Sequence, residues 1–197
     1  MLTVNLFIGD SVTDCGRDVE PPYGDGYVRE IFRTNTLVGK IFNVGTSGNR
    51  LIDLENRWQT DVLDQKPTML SIAVGINDTW RRYDDNDPTY TADFHDRYHR
   101  LLTQTQADCN PQFVLCEPFL LPVREEMIEW REDLNPKIEV VHSMAKEFGA
   151  VLVPFDAHLN SLATKMPMAD IADDGIHPTI FGHKEMAKLW LSSVGLA

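Results

Sequence analysis

Five short apolar runs, separated by longer segments of helical period, constrain this chain more than any other feature. The runs are Leu6–Ile8, closed by Gly9, then Val38–Val44, Met69–Val74, Phe113–Cys116 and Val151–Phe155. Strands buried on both faces read as continuous apolar runs, and strands that alternate with helices form a parallel sheet covered on both sides. Leu51, Leu54, Trp58 and Val62 recur at helical spacing, which predicts Trp58 in the core. Phe94, Tyr98, Leu101 and Leu102 mark another helix, and Tyr27–Asn35 and a stretch ending near Thr164 read as shorter ones. Arg124–Phe148 predicts two helices, because Asn135 offers an N-cap and Pro136 a first helical position; Ile138, Val141, Met144 and Phe148 give the second its apolar face. A final helix, capped by Thr179, turns Met186, Leu189 and Trp190 inward. The fold expected is α/β, a three-layer α/β/α sandwich with a five-stranded parallel sheet. With 197 residues, 43% of them hydrophobic, one domain spanning 1–197 can bury roughly 70% of its unfolded surface.

Composition narrows the partners. A net charge of −12 disfavours a nucleic-acid backbone or an anionic membrane. No run reaches the roughly 18 apolar residues of a membrane span. Met1-Leu2-Thr3-Val4 enters the first strand without a basic region or a cleavage site of the secretory type. Cys15, Cys109 and Cys116 are odd in number and form no C-x-x-C pair, so neither a disulfide framework nor a zinc site is indicated, and a reducing cytoplasm fits. Cys15 reads as a small filler. His95 and His99 stand four apart on a helix but lack a third ligand, and are expected to be solvated.

Function gathers at the carboxyl ends of the strands, where open α/β sheets bind ligands. The first run leads into Gly9-Asp10-Ser11, the second into Asn43-Val44-Gly45-Thr46-Ser47-Gly48-Asn49, and the third into Gly75-Ile76-Asn77-Asp78-Thr79-Trp80. Right-handed crossovers bring these loops to one edge, so Ser11, Gly48 and Asn77 can converge. A serine hydroxyl is a poor nucleophile at neutral pH and needs an imidazole to take its proton. Asp174-Gly175-Ile176-His177 supplies that imidazole, together with a carboxylate placed to hold its other nitrogen. The backbone N–H groups of Ser11 and Gly48 and the side-chain amide of Asn77 form three donors for a tetrahedral oxyanion.

These four segments, GDSVTD at 9–14, NVGTSGNR at 43–50, GINDTW at 75–80 and DDGIHP at 173–178, resemble the signature blocks of the SGNH, or GDSL, hydrolases. The resemblance implies a flavodoxin-like fold, Ser11 as nucleophile, His177 as base, Asp174 as its partner, and Ser11, Gly48 and Asn77 as oxyanion donors. It selects Gly48 over Gly45 and implies no metal and no organic cofactor. SGNRLIDLENRW, DVLDQKP and VGINDTWRRYD further resemble the intracellular acetylxylan esterases of that family, which deacetylate xylo-oligosaccharides. Arg50 departs from the Thr or Ser often found after Gly-Asn. The partner implied is a small acylated molecule, an acetylated sugar above all; the number of subunits stays open, a homo-oligomer included.

The segments Thr13–Gly26 and Trp80–Pro88 are rich in Asp, Arg, Gly, Pro and Tyr, and offer no continuous apolar groove from which a long acyl chain would gain about 0.8 kcal/mol per CH₂. Short acyl groups are therefore expected, with Trp80 closing the acyl pocket. Asp10 and Tyr27 are further candidate substrate contacts, and Tyr23 and Tyr83 could also face a sugar ring. Two other classes use some of the same residues: an inactive carbohydrate-binding module on this fold, and a metal-dependent hydrolase built on Asp10, Asp14, Asp78, Asp174 and His177.

Overall fold

A computed structural model describes residues 3–17 and 22–196. Residues 18–21, within the polar Thr13–Gly26 segment, and residues 1 and 2 ahead of the first strand lie outside the described residues. The strands are β1 (Val4–Gly9), β2 (Lys40–Asn43), β3 (Met69–Ala73), β4 (Gln112–Cys116) and β5 (Val151–Val153). All pair in parallel, in the order β2-β1-β3-β4-β5. The helices are α1 (Ser11–Asp14), α2 (Tyr27–Arg33), α3 (Leu51–Asp61), α4 (Ile76–Asp84), α5 (Thr91–Asp108), α6 (Arg131–Glu147), α7 (Phe155–Ala163), α8 (Met168–Ile171) and α9 (Ile180–Ser193).

Strand alternation sends neighbouring side chains into separate layers. Leu6, Ile8, Leu70, Ile72 and Leu115 bury one face of the sheet under α3, α5 and α6, against Leu54, Trp58, Tyr98 and Met144. Phe7, Val114 and Val153 bury the other under α2, α7 and α9, against Tyr27, Ile31, Leu159 and Trp190. Trp58 is a core residue, and the polar ends of two buried indoles are satisfied: Trp58 Nε1 donates to Thr105 Oγ1 at 2.9 Å and Trp190 Nε1 to Ser71 Oγ at 3.0 Å.

Arg124–Phe148 departs from expectation. It holds one α-helix, α6, with Pro136 inside it, preceded by a 3₁₀ turn at Glu125–Met127. The proline removes the N–H that would reach the Glu132 carbonyl, yet both residues lie on the exposed side, where water can take the freed oxygen, while Leu134, Lys137, Ile138 and Val141 hold the helix to the molecule. Three helices carried no clear sequence signal: α4, whose polar face hides its period, and α1 and α8, which are single turns. Thr179 does cap α9, its hydroxyl accepting the Gly182 N–H at 3.2 Å.

Candidate active site

The chain runs from β1 outward to β2 and then returns to β3 on the other side, so β1 and β3 flank the point where strand order reverses. Such switch points leave a crevice at the strand ends. Gly9 closes β1 by being bare: a Cβ there would lie 2.1 Å from the Ala73 carbonyl oxygen and 2.5 Å from Thr13 Oγ1. α1 begins at once with Ser11. Asp10 caps this turn, its Oδ1 accepting the Val12 N–H at 3.0 Å.

Ser11 Oγ lies 2.9 Å from His177 Nε2, and His177 Nδ1 lies 2.6 Å from Asp174 Oδ2. The other carboxylate oxygen, Asp174 Oδ1, accepts the N–H groups of Ile176 at 2.9 Å and His177 at 2.7 Å, so the loop that carries the imidazole also fixes its carboxylate. Burial works to raise the Asp174 carboxyl, but the bonds from the His177 ring and from these two N–H groups outweigh it and hold the group below its ordinary value. With the carboxylate on Nδ1–H, Nε2 is left to accept from Ser11.

Three donors face the same cavity. Gly48 takes φ +79°, a left-handed conformation, and a Cβ there would meet nothing within 4 Å, so backbone angle rather than space calls for glycine. The N–H groups of Ser11 and Gly48 have no acceptor among the described residues. Asn77, on the first turn of α4, gives one amide hydrogen to the Asn49 carbonyl at 3.1 Å, which leaves the other for the cavity. The cavity is open, about 620 Å³, and Ser11, Gly48, Asn77, Trp80 and His177 all line it.

The loop that holds Gly48 is bolted to its neighbours. Asp14 Oδ2 accepts both the N–H and the hydroxyl of Ser47, at 3.0 and 2.6 Å. Asn43 Nδ2 donates to the Thr13 carbonyl at 2.7 Å, and Asp78 Oδ2 accepts the Leu51 N–H at 3.0 Å. Burial raises the Asp78 carboxyl to about 6. Asp10, Asp14 and Asp78 thus serve separate backbone groups, and among the described residues no three His, Cys, Asp or Glu side chains come together to hold a metal ion.

Two candidate substrate contacts are corrected. Asp10 lies beneath the site, 2% exposed, with burial pushing its carboxyl up to about 7. Tyr27 is fully buried against Phe7 and Phe155, its hydroxyl 3.2 Å from Thr13 Oγ1. Tyr27 is held inward between the sheet and α9, whose His183 takes its N–H, which period alone does not show. Tyr23 stacks on Phe32 and Tyr83 on Trp130, away from the cavity lining. Trp80 does line the cavity, its ring centroid 6.2 Å from that of His177 and 6.0 Å from that of Trp130.

Sequence reasoning missed two residues at the cavity. Cys15, read as filler, lines it with a left-handed φ of +36°, and its Sγ lies 3.2 Å from His183 Nε2. His183 Nδ1 accepts the Tyr27 N–H at 3.1 Å, so Nε2 carries the proton and points it at the sulfur. Burial lowers the His183 imidazole to about 4 and raises the Cys15 thiol. No local signal marks this pair, whose members are 168 positions apart. His95 and His99 sit on the outer face of α5 with side chains 44% and 41% exposed.

A hydroxyl, an imidazole and a carboxylate in line, set against three convergent donors at the strand ends of an α/β/α sandwich, are equipped to activate an oxygen nucleophile and to hold an oxyanion. The GDSL-like Lipase/Acylhydrolase family model matches residues 7–185. The chain belongs to this family, and with it to the carboxylic ester hydrolases. It is 33% identical to an acetylxylan esterase of Geobacillus stearothermophilus, over 96% of this chain and 93% of that protein. The solved structure of the acetylxylan esterase Axe2 from the same organism superposes with a TM-score of 0.88 at 31% identity, covering 99% of this chain and 95% of the other. A protein of the GDSL-like lipase type from Parabacteroides merdae ATCC 43184 superposes with a TM-score of 0.92 at 32% identity, over 99% and 96% of the two chains.

Proposed function

We propose that the chain, acting as one domain over 1–197, is a serine esterase that removes short acyl groups, acetyl foremost, from sugar hydroxyls such as those of xylo-oligosaccharides. The observation that carries this reading is the Ser11–His177–Asp174 line, at 2.9 and 2.6 Å, opening onto free donors in one cavity. His177 Nε2 takes the Ser11 proton as Oγ bonds to the ester carbonyl carbon, and the carbonyl oxygen becomes an oxyanion met by the N–H groups of Ser11 and Gly48 and the amide of Asn77. The ester C–O bond then breaks, and the departing alcohol leaves with the proton from His177. Water, deprotonated by the same imidazole, attacks the acyl group on Ser11 and releases the acid and the free hydroxyl. The acetyl and xylo-oligosaccharide reading is supported by the relatives named acetylxylan esterase and by the polar residues Asp25, Ser47 and Arg81 around the cavity.

Release of acetate from acetylated xylo-oligosaccharides and hydrolysis of p-nitrophenyl acetate and octanoate test this directly. Wild type turns over the acetyl substrates, and Ser11→Ala loses more than about a thousandfold in kcat while staying folded. A Ser11→Ala enzyme with a tenth of wild-type activity removes Ser11 from the nucleophile's role. A wild type that prefers octanoate overturns the short-acyl reading.

A further inference from the structure

The two backbone donors of the oxyanion site come from different segments, so something must hold those segments at a fixed distance. Arg57, on α3, sits between them with its side chain 20% exposed. Its Nη2 donates to the Gly9 carbonyl at 3.3 Å, just before Asp10 and Ser11. Its Nη1 donates to the Val44 carbonyl at 2.7 Å, where the chain leaves β2. Its Nε donates to Asn49 Oδ1 at 2.9 Å, directly after Gly48. Asp61, one turn along α3, takes a further bond from Nη1 at 2.5 Å and holds the guanidinium in place. One rigid planar group therefore grips the end of the strand that presents Ser11 and both shoulders of the loop that presents Gly48.

We infer that Arg57 is a positioning residue for the oxyanion site, setting the separation between the Ser11 and Gly48 N–H groups. The inference rests on the esterase reading above. Arg57 touches none of the reacting atoms and does not line the cavity. Three separate atoms of the guanidinium make the three contacts, and a lysine ammonium cannot reproduce that fork. Donors aimed at charge that exists only in the transition state act on kcat rather than on substrate binding, and the geometry they need is tight.

The test is Arg57→Lys, with Asn49→Ala as a milder variant that removes one grip from a loop position and leaves the core untouched. Both are assayed on p-nitrophenyl acetate beside wild type and Ser11→Ala, with folded fraction followed by circular dichroism. The expected result for Arg57→Lys is a fall in kcat of about 10- to 100-fold with KM within about threefold, and a smaller fall of about fivefold for Asn49→Ala. Inhibition by phenylboronic acid, whose Ser11 adduct places an oxygen among the three donors, weakens by the same factor as kcat falls. A merely structural arginine would lower the melting temperature and leave kcat per folded molecule and boronate affinity at wild-type values, and that result overturns the inference. If Arg57→Lys does not fold, an Asn49→Ala enzyme with unchanged kcat and boronate affinity overturns it equally. An active Ser11→Ala enzyme would instead bring down the underlying esterase reading, so the two failures are told apart.

Discussion

Asp10 precedes the candidate nucleophile, yet its carboxyl works against the fold at high pH. Its ordinary value near 3.8 rises to about 7 in the folded chain, and that of Asp78 to about 6, in both cases through burial first. The folded state therefore binds these protons more tightly than the unfolded chain; their contribution is fully present below about pH 4 and is lost as pH rises through 6 and 7. His183 runs the other way: lowered from 6.5 to about 4, it favours the fold above 6.5 and withdraws that support as pH falls. Two carboxyls against one imidazole leave the combined contribution of these three groups declining from pH 4 to 6. Asp10→Asn keeps an oxygen for the Val12 N–H and deletes the charge, so urea unfolding at pH 8 should show the variant more stable, by no more than about 4 kcal/mol, with the difference gone at pH 4. Asp174-x-x-His177 was legible as a pair because three residues of one loop bring both groups together. Arg57 and His183 were not, since each acts on segments far away in sequence and neither stands in a motif. Tyr27 was misread because its burial depends on α9, which no local pattern reveals.

At the scale of the element, α6 shows how a local rule yields to packing. Asn135-Pro136 has the form of a helix start, and sequence reading broke the helix there. The apolar stripe continues across the proline, and burying it on both sides outweighs one lost hydrogen bond when the freed carbonyl faces water. Pro136→Ala restores an N–H to the Glu132 carbonyl while giving back some freedom to the unfolded chain. A net gain of about 1 kcal/mol is expected, read as a raised melting temperature with unchanged kcat. A destabilised Pro136→Ala protein would show that proline's stiffness matters more than the missing bond. The inner strands β1, β3 and β4 were legible nearly to their ends because runs buried on both faces need no alternation to be noticed. α4 was hidden, although it carries both Asn77 and Trp80: its apolar side is narrow and its outer face is crowded with Arg and Asp.

For the molecule as a whole, the sheet explains why the site is where it is. Layers and strand count were legible from the alternation of apolar runs and helical segments; the order β2-β1-β3, which opens the crevice beside Ser11, came only with the flavodoxin-like resemblance, because spacing says that strands are parallel but not which side each return takes. Trp80 forms one wall of that crevice, with Trp130 beside it. Trp80→Ala should lengthen the acyl space and shift the acetate-to-octanoate ratio of kcat/KM toward octanoate, by about tenfold, on the scale of one or two methylenes admitted to a pocket. An unchanged ratio would leave Trp80 a packing residue only. The 166 positions that separate Ser11 from His177 also have a consequence in time. On the proposed mechanism a ribosome delivers the hydroxyl long before the imidazole that is to activate it, and a single domain folds as a unit. Throughout that interval the growing polypeptide carries an inert alcohol, and a nascent chain halted before Asp174 should ignore a serine-directed phosphonate that labels the finished protein.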